Sequence, residues 1–364
     1  DVVTGMHRKV SARFVGVAGT QCVGIAAPPN APAHPIPPRE AVEPPPLPTG
    51  RDELVRVVDR ADERVIEYVI GPVELDSGVA QLRMPIQMAE MSIAGWFHGF
   101  DVSMKDSDGN RIPIETLQHV NFIDPDQREL FSPVARRVMA AGTETSRQTL
   151  PTMIGYPVQP GDRLLITAVF ANPTVADIPA AYLHVEFDYS LEGENLIEPR
   201  NVYPFQLDVM GFVGDKSFVV PPGRSKRAWQ GRPAVEGRIL GIGGHTGDFA
   251  TRLRLVNVTS GAVLWDVAPV LDDEGRLESI PRNEMWWSLG TRIFTDQLYR
   301  IEVEYDNPLD VPAPGGGMGE IGGVILVARG IAWPRLERTD PSYAADLENT
   351  LTASWRSDPD HQAP

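Results

Sequence analysis

The chain has 364 residues, 42% of them apolar and 23% charged, which is a globular composition with room for two domains of ordinary size. Its formal net charge of −16 at pH 7 argues against binding nucleic acid or anionic membrane through bulk electrostatics. The single cysteine, Cys22, excludes an intramolecular disulfide, and no run of apolar residues is long enough for a transmembrane helix.

Residues 1–50 are expected to stand apart from the folded body. Met6-His7-Arg8-Lys9 is a basic start, Phe14 to Ala27 is mildly apolar, and Ala31-Pro32-Ala33 has the small residues of a cleavage site. That pattern is leader-like and gives the expectation of a secreted or cell-envelope bacterial protein. Residues 28–50, with Pro44-Pro45-Pro46-Leu47-Pro48, read as a stiff polyproline linker.

From residue 51 the pattern changes to strands. They are predicted at Arg64–Ile70, Val79–Met84, Gly99–Lys105, Thr116–Ile123, Arg163–Asn172 and Ala181–Tyr189. Asp106–Asn110 carries Asp-Gly at its centre and reads as a hairpin-type turn. Pro133–Ala141 reads as a short helix or an irregular excursion. A second run begins near 200, with strands predicted at Asn201–Phe212, Lys216–Val220, Ala234–Gly243, Thr251–Asn257, Val263–Pro269, Leu298–Asp306 and Gly323–Ala328. No long amphipathic helix separates them, so βαβ units are not expected. The expected fold is all-β: two tandem antiparallel β-sandwich (jelly-roll) domains at 51–195 and 196–333. Residues 334–364 then form a polar, acidic tail, lying over the surface or disordered.

Candidate ligands are sparse among the seven histidines. His119 lies in Leu117-Gln118-His119-Val120-Asn121-Phe122, where alternation puts Leu117, His119 and Asn121 on one face and Val120 and Phe122 on the other. His245 sits among Gly243, Gly244 and Gly247, with Asp248 close by. Met318 lies in the glycine-rich turn Gly315-Gly316-Gly317-Met318-Gly319. Imidazole and thioether favour copper, whereas imidazole with carboxylate leans toward zinc or iron. A bland reading stands beside each: a hydrogen-bonded histidine, a His–Asp contact at a strand end, and a methionine filling a gap. His98 and His184 are two further strand histidines of the first block. Trp229, Trp265, Trp286 and Trp287 make the second block rich in tryptophan, as core or as a surface for stacking sugar rings.

Several of these pieces together resemble the type II copper, ascorbate-dependent monooxygenases. Val219-Val220-Pro221-Pro222-Gly223 is similar to that family's Ile-Pro-Pro-Gly strand end, Gly244-His245-Thr246-Gly247 to its His-x-His strand, and Gly317-Met318 to its methionine-ligand segment. Asp106 to Asn121 is similar to the segment of its first domain that ends in Leu-His-His-Val-Asn. The resemblance spans about residues 65–330. It implies twin β-sandwiches, copper, and His119, His245 and Met318 as metal ligands; Asp248 is a further candidate donor by its closeness to His245 in the sequence. The resemblance is incomplete. Gln118 stands where the first histidine of a pair would be, Ala171 near the third ligand of that site, and Gly247 where the second histidine of His-x-His would be.

Two functions therefore stay open. One is a copper type II monooxygenase-like oxidoreductase with a partial metal site and an unnamed small-molecule or peptide substrate. The other is a non-catalytic β-sandwich binding or structural module with a protein or glycan partner.

Overall fold

The computed structural model describes residues 54–351, apart from 80, 143–144, 146, 213–217, 289, 314–315 and 329. The leader-like and proline-rich stretches, and Lys216 and Ser217 of the strand expected at Lys216–Val220, lie outside the described residues; Phe218 makes an isolated bridge to Gly317.

The first half supplies β1 (Val55–Arg60), β2 (Val65–Leu75), β3 (Leu82–Arg83), β4 (Gln87–Glu90), β5 (Gly95–Lys105), β6 (Leu117–Arg128), β7 (Ala135–Gly142), β8 (Gln148–Thr149), β9 (Ile154–Val158), β10 (Arg163–Phe170) and β11 (Ile178–Leu191). The second half supplies β12 (Arg200–Asp208), β13 (Gly223–Gly231), β14 (Gly237–Thr246), β15 (Ala250–Asn257), β16 (Val263–Val267), β17 (Val270–Leu271), β18 (Leu277–Ser279), β19 (Asn283–Glu284), β20 (Thr291–Ile293), β21 (Tyr299–Asn307) and β22 (Gly319–Val327). One helix, α1 (Pro341–Leu351), follows.

The protein is all-β and built of antiparallel β-sandwiches. Period-2 burial makes the strands: on β11, Ala181, Leu183, Val185, Phe187 and Tyr189 are buried while His184, Glu186 and Asp188 face the other way. One core packs between β1-β2-β11-β5-β9 and β10-β6-β7, around Tyr68, Phe97, Phe122 and Phe187. A second packs between β12-β22-β14 and β13-β21-β15-β16, around Phe205, Leu253, Ile301, Tyr305 and Ile321. The expected boundary at 195/196 falls between β11 and β12. The two cores nevertheless share one eleven-stranded sheet, in the order β1-β2-β11-β5-β9-β12-β22-β14-β19 with β8 and β20 beside it. The join is the parallel pairing of β12 with β9, where Arg200 and Asn201 meet Ile154 and Gly155. Leu130 and Phe131, between β6 and β7, pack in the second core.

Three sequence expectations need correction, and one strand has no counterpart among them. Pro133–Ala141 is not helical; it contributes β7, which pairs with β6 and so gains a ladder that outweighs its helix-favouring Ala-Arg-Arg-Val-Met-Ala-Ala. A register shift opposite Val169/Phe170 pairs Phe170 with Leu117 and Val169 with His119. Gln118 is thereby bulged, and Leu117 joins Val120 and Phe122 in the core instead of sharing the face of His119. β13 is a polar edge strand that hydrophobic periodicity passes over: it reads Arg-Ser-Lys-Arg-Ala-Trp-Gln between its glycines. Finally, the start of the acidic tail is a packed helix, with Tyr343 and Leu347 of α1 buried against Ile123, Ala135 and Leu165.

Candidate functional site

β14 and β22 run antiparallel with His245 opposite Glu320 and Thr246 opposite Gly319. The same register carries Gly247 to Met318 one step further. Side chains alternate, so His245 and Glu320 share the outer face of this strand pair. Thr246 and Gly319 face the core, where a Cβ on Gly319 would meet Val303 and Val209. The Gly247–Met318 end is clamped from the opposite sheet. Tyr305 of β21 accepts the N–H of Gly247 at 2.9 Å and of Met318 at 3.0 Å, and its hydroxyl donates to the Met318 carbonyl. Burial pushes this phenol up to about 12, so it remains a donor across the ordinary pH range. A Cβ on Gly247 would come within 2.9 Å of the Gly316 carbonyl oxygen, so the backbones meet because both turns are glycine-rich.

The structure thus brings His245 and Met318 to one end of one strand pair. It sends the other two candidates elsewhere. Asp248 Oδ1 accepts the amide of Leu277, on β18, at 3.0 Å. His119 lies on β6 of the first sandwich, exposed, with the Asn121 amide donating to its Nε2 at 2.6 Å. Ala171, near the position of a third ligand there, is buried. His98 and His184 do not converge on His119, since they belong to β5 and β11 of the other sheet. His184 Nδ1 is 2.6 Å from the Glu67 carboxylate. His98 is held by Ile154 and Ser190. Among the described residues no group of three or more His, Cys, Asp or Glu is arranged to hold a metal ion, and no helix is long and apolar enough to cross a membrane.

One buried polar cluster among the described residues was missed by sequence reasoning. It fills the joint between the sandwiches. Arg136 of β7 is 1% exposed and lies in an aromatic box, 4.4 Å from the Trp333 ring, 4.9 Å from Tyr203 and 5.8 Å from Tyr156. Tyr156 donates to Asp124 Oδ2 at 3.2 Å, and Arg136 Nη1 reaches the Tyr156 hydroxyl at 3.4 Å. The Trp333 indole N–H donates to the Arg128 carbonyl at 2.8 Å. Burial raises the Asp124 carboxyl to about 6, against the opposing pull of the Asp126 amide and of Arg136. Burial also raises Glu129, which accepts the Leu130 amide at 2.9 Å, the Gln206 amide of β12 at 3.2 Å and the Arg137 amide at 3.3 Å. Arg137 makes a two-pronged bond to Asp346 of α1, at 2.7 and 2.5 Å. The joint is thus tied to both sandwiches and to the helix.

Of the tryptophans, Trp265 is core and Trp286 lies over Gly241, while Trp287 is 82% exposed. A groove of about 410 Å³ opens beside the edge strand β16, lined by Val263–Val267, Arg282 and Asn283.

A scan against protein-family models finds no match, and a search of curated proteins finds none. Among solved structures, the chain is similar to the STIV MCP, at 9% identity over 75% of this chain and 96% of that one, with a TM-score of 0.34. It is also similar to PNGF-II, at 10% identity over 80% of this chain and 66% of that one, with a TM-score of 0.29. A third likeness, to infectious bursal disease virus Gx strain, has 9% identity over 79% and 77% and a TM-score of 0.23. At such values these likenesses carry nothing about activity.

Proposed function

We propose that the chain is a non-catalytic β-sandwich module that binds or supports a partner and does not carry out copper hydroxylation. One observation carries this reading: where β7 of one sandwich meets β12 of the other, the buried Arg136 is packed among the half-buried rings of Tyr156, Tyr203 and Trp333. A copper hydroxylase of the resembled family would need two ligand sets facing one another across solvent. The residues present do not fit those sets. The His119 side has Gln118 and Ala171 where imidazoles would stand, and Asp248 is engaged by the Leu277 amide. No oxygen-activating step follows from them. The contact surface this reading favours is the edge strand β16 and its groove, where a strand edge and the exposed Arg282 lie side by side.

A second reading rests on the register of β14 and β22: a single metal held by His245 and Met318, copper by preference for the thioether, zinc if carboxylate oxygen supplies the remaining donors. Metal counting separates the two. The protein is loaded with copper(I) or zinc, passed over a desalting column and assayed for metal per chain, alongside His245→Ala. The module reading expects far less than one metal per chain in every sample. A stoichiometric metal that disappears in the His245→Ala variant would overturn it in favour of the second.

A further inference from the structure

β5 and β11 are neighbouring strands of the large sheet; Ser190 pairs with Trp96, and a register shift at Asp188/Tyr189 leaves His98 without a partner in the ladder, so its ring reaches Ser190 diagonally. His98 Nε2 lies 2.8 Å from Ser190 Oγ, and Nδ1 lies 2.8 Å from the carbonyl oxygen of Ile154. A carbonyl can only accept, so in the neutral ring Nδ1 carries the proton and Nε2 offers a lone pair. The Ser190 hydroxyl must then donate to Nε2. Burial lowers the pKa of His98, which keeps this basic form present at neutral pH. The ring is packed in place: it is 7% exposed, and a Cβ on Gly155 would stand 3.1 Å from its Cε1. Ser190 is half-buried, where His98 is buried. Asp188, two residues back on the same face, is bridged by Arg147 Nη2 at 2.9 and 2.7 Å and pulls on His98 electrostatically, which would favour the imidazolium once formed. A hydroxyl bonded to a base, and a base oriented by a third group, are the relations that activate a serine.

We propose that Ser190 is a nucleophile, with His98 as its general base, that takes an acyl group from activated carboxylic esters. In the step, Ser190 Oγ bonds to the ester carbonyl carbon and its proton passes to His98 Nε2. The carbon–oxygen bond to the leaving alcohol breaks, and that alcohol leaves with the proton. This does not depend on the module reading; it keeps the partner-binding part of that reading and replaces its non-catalytic part.

The test uses the full chain and an alkyl fluorophosphonate, which phosphonylates activated serines with loss of fluoride. Labelling is followed by intact mass and the site by peptide mapping, with Ser190→Ala and His98→Gln as variants and folding checked by circular dichroism. The expected result is one adduct per chain at Ser190, absent in Ser190→Ala and slowed about 100-fold in His98→Gln. The rate in the parent protein should fall as His98 is protonated on acidification. No adduct at Ser190, or an adduct whose rate is the same in a folded His98→Gln variant, would overturn the proposal.

Discussion

Asp124 offers a sharp perturbation of the joint. Its carboxyl is 6% exposed, meets Tyr156 and the Asp126 amide, and feels the charges of Arg136, Asp126 and Asp162. Burial lifts it from 3.8 to about 6. The folded value lies above the unfolded one, so its stabilising contribution is fully present below about pH 4 and is lost as pH rises through about 6. By linkage, the loss between about pH 4.5 and about pH 8 is on the order of 2 kcal/mol. Asp124→Asn keeps the shape and removes the titration. Urea unfolding followed by tryptophan fluorescence, in which Trp333 reports the box, gives the stability of both proteins at each pH. Groups common to the two cancel in the difference. The parent should lose about 2 kcal/mol relative to Asp124→Asn over that span. A difference that stays constant within about 0.5 kcal/mol, or that runs the other way, would refute the burial of a titrating carboxyl in the joint.

Two further perturbations reach other parts of the structure. Tyr305→Phe removes the acceptor shared by the Gly247 and Met318 amides, so it should destabilise by about 2–4 kcal/mol and speed hydrogen exchange at those two amides. Unchanged exchange there would remove the clamp from the account. Leu347→Ala empties a site packed in the cluster of Ile123, Tyr343 and Leu165, at a loss of about 2–5 kcal/mol for that contact. Limited proteolysis should then cut within α1 sooner than in the parent, with the β-sheet circular dichroism unchanged.

Most of the strands were legible because one face of each is buried. The alternation Ala181, Leu183, Val185, Phe187, Tyr189 identifies β11 without further information. β7 was not legible, because Ala135–Gly142 holds strong helix formers and becomes a strand only through its ladder with β6. β13 escaped for the opposite reason. Its outward residues pair with charges on β21, as Lys226 does with Glu302 at 2.8 Å, so it has little apolar pattern to show. Of the candidate site, the nearness of His245 and Met318 follows from two glycine-rich turns ending adjacent strands. The bulge at Gln118 left no trace in the composition of its strand, so the face of Leu117 was misassigned. The joint could not be read at all. Asp124, Arg136, Tyr156, Tyr203 and Trp333 come from separate segments and obey no common period, and only the pairing of β9 with β12 brings those segments together.

Two sandwiches joined by one sheet and by the box around Arg136 should unfold as a single body. Differential scanning calorimetry of the full chain at neutral pH tests it most directly. The expected trace is one endotherm whose calorimetric and van't Hoff enthalpies agree. Two resolved endotherms, with the Arg136→Met variant unfolding no differently from the parent, would contradict it.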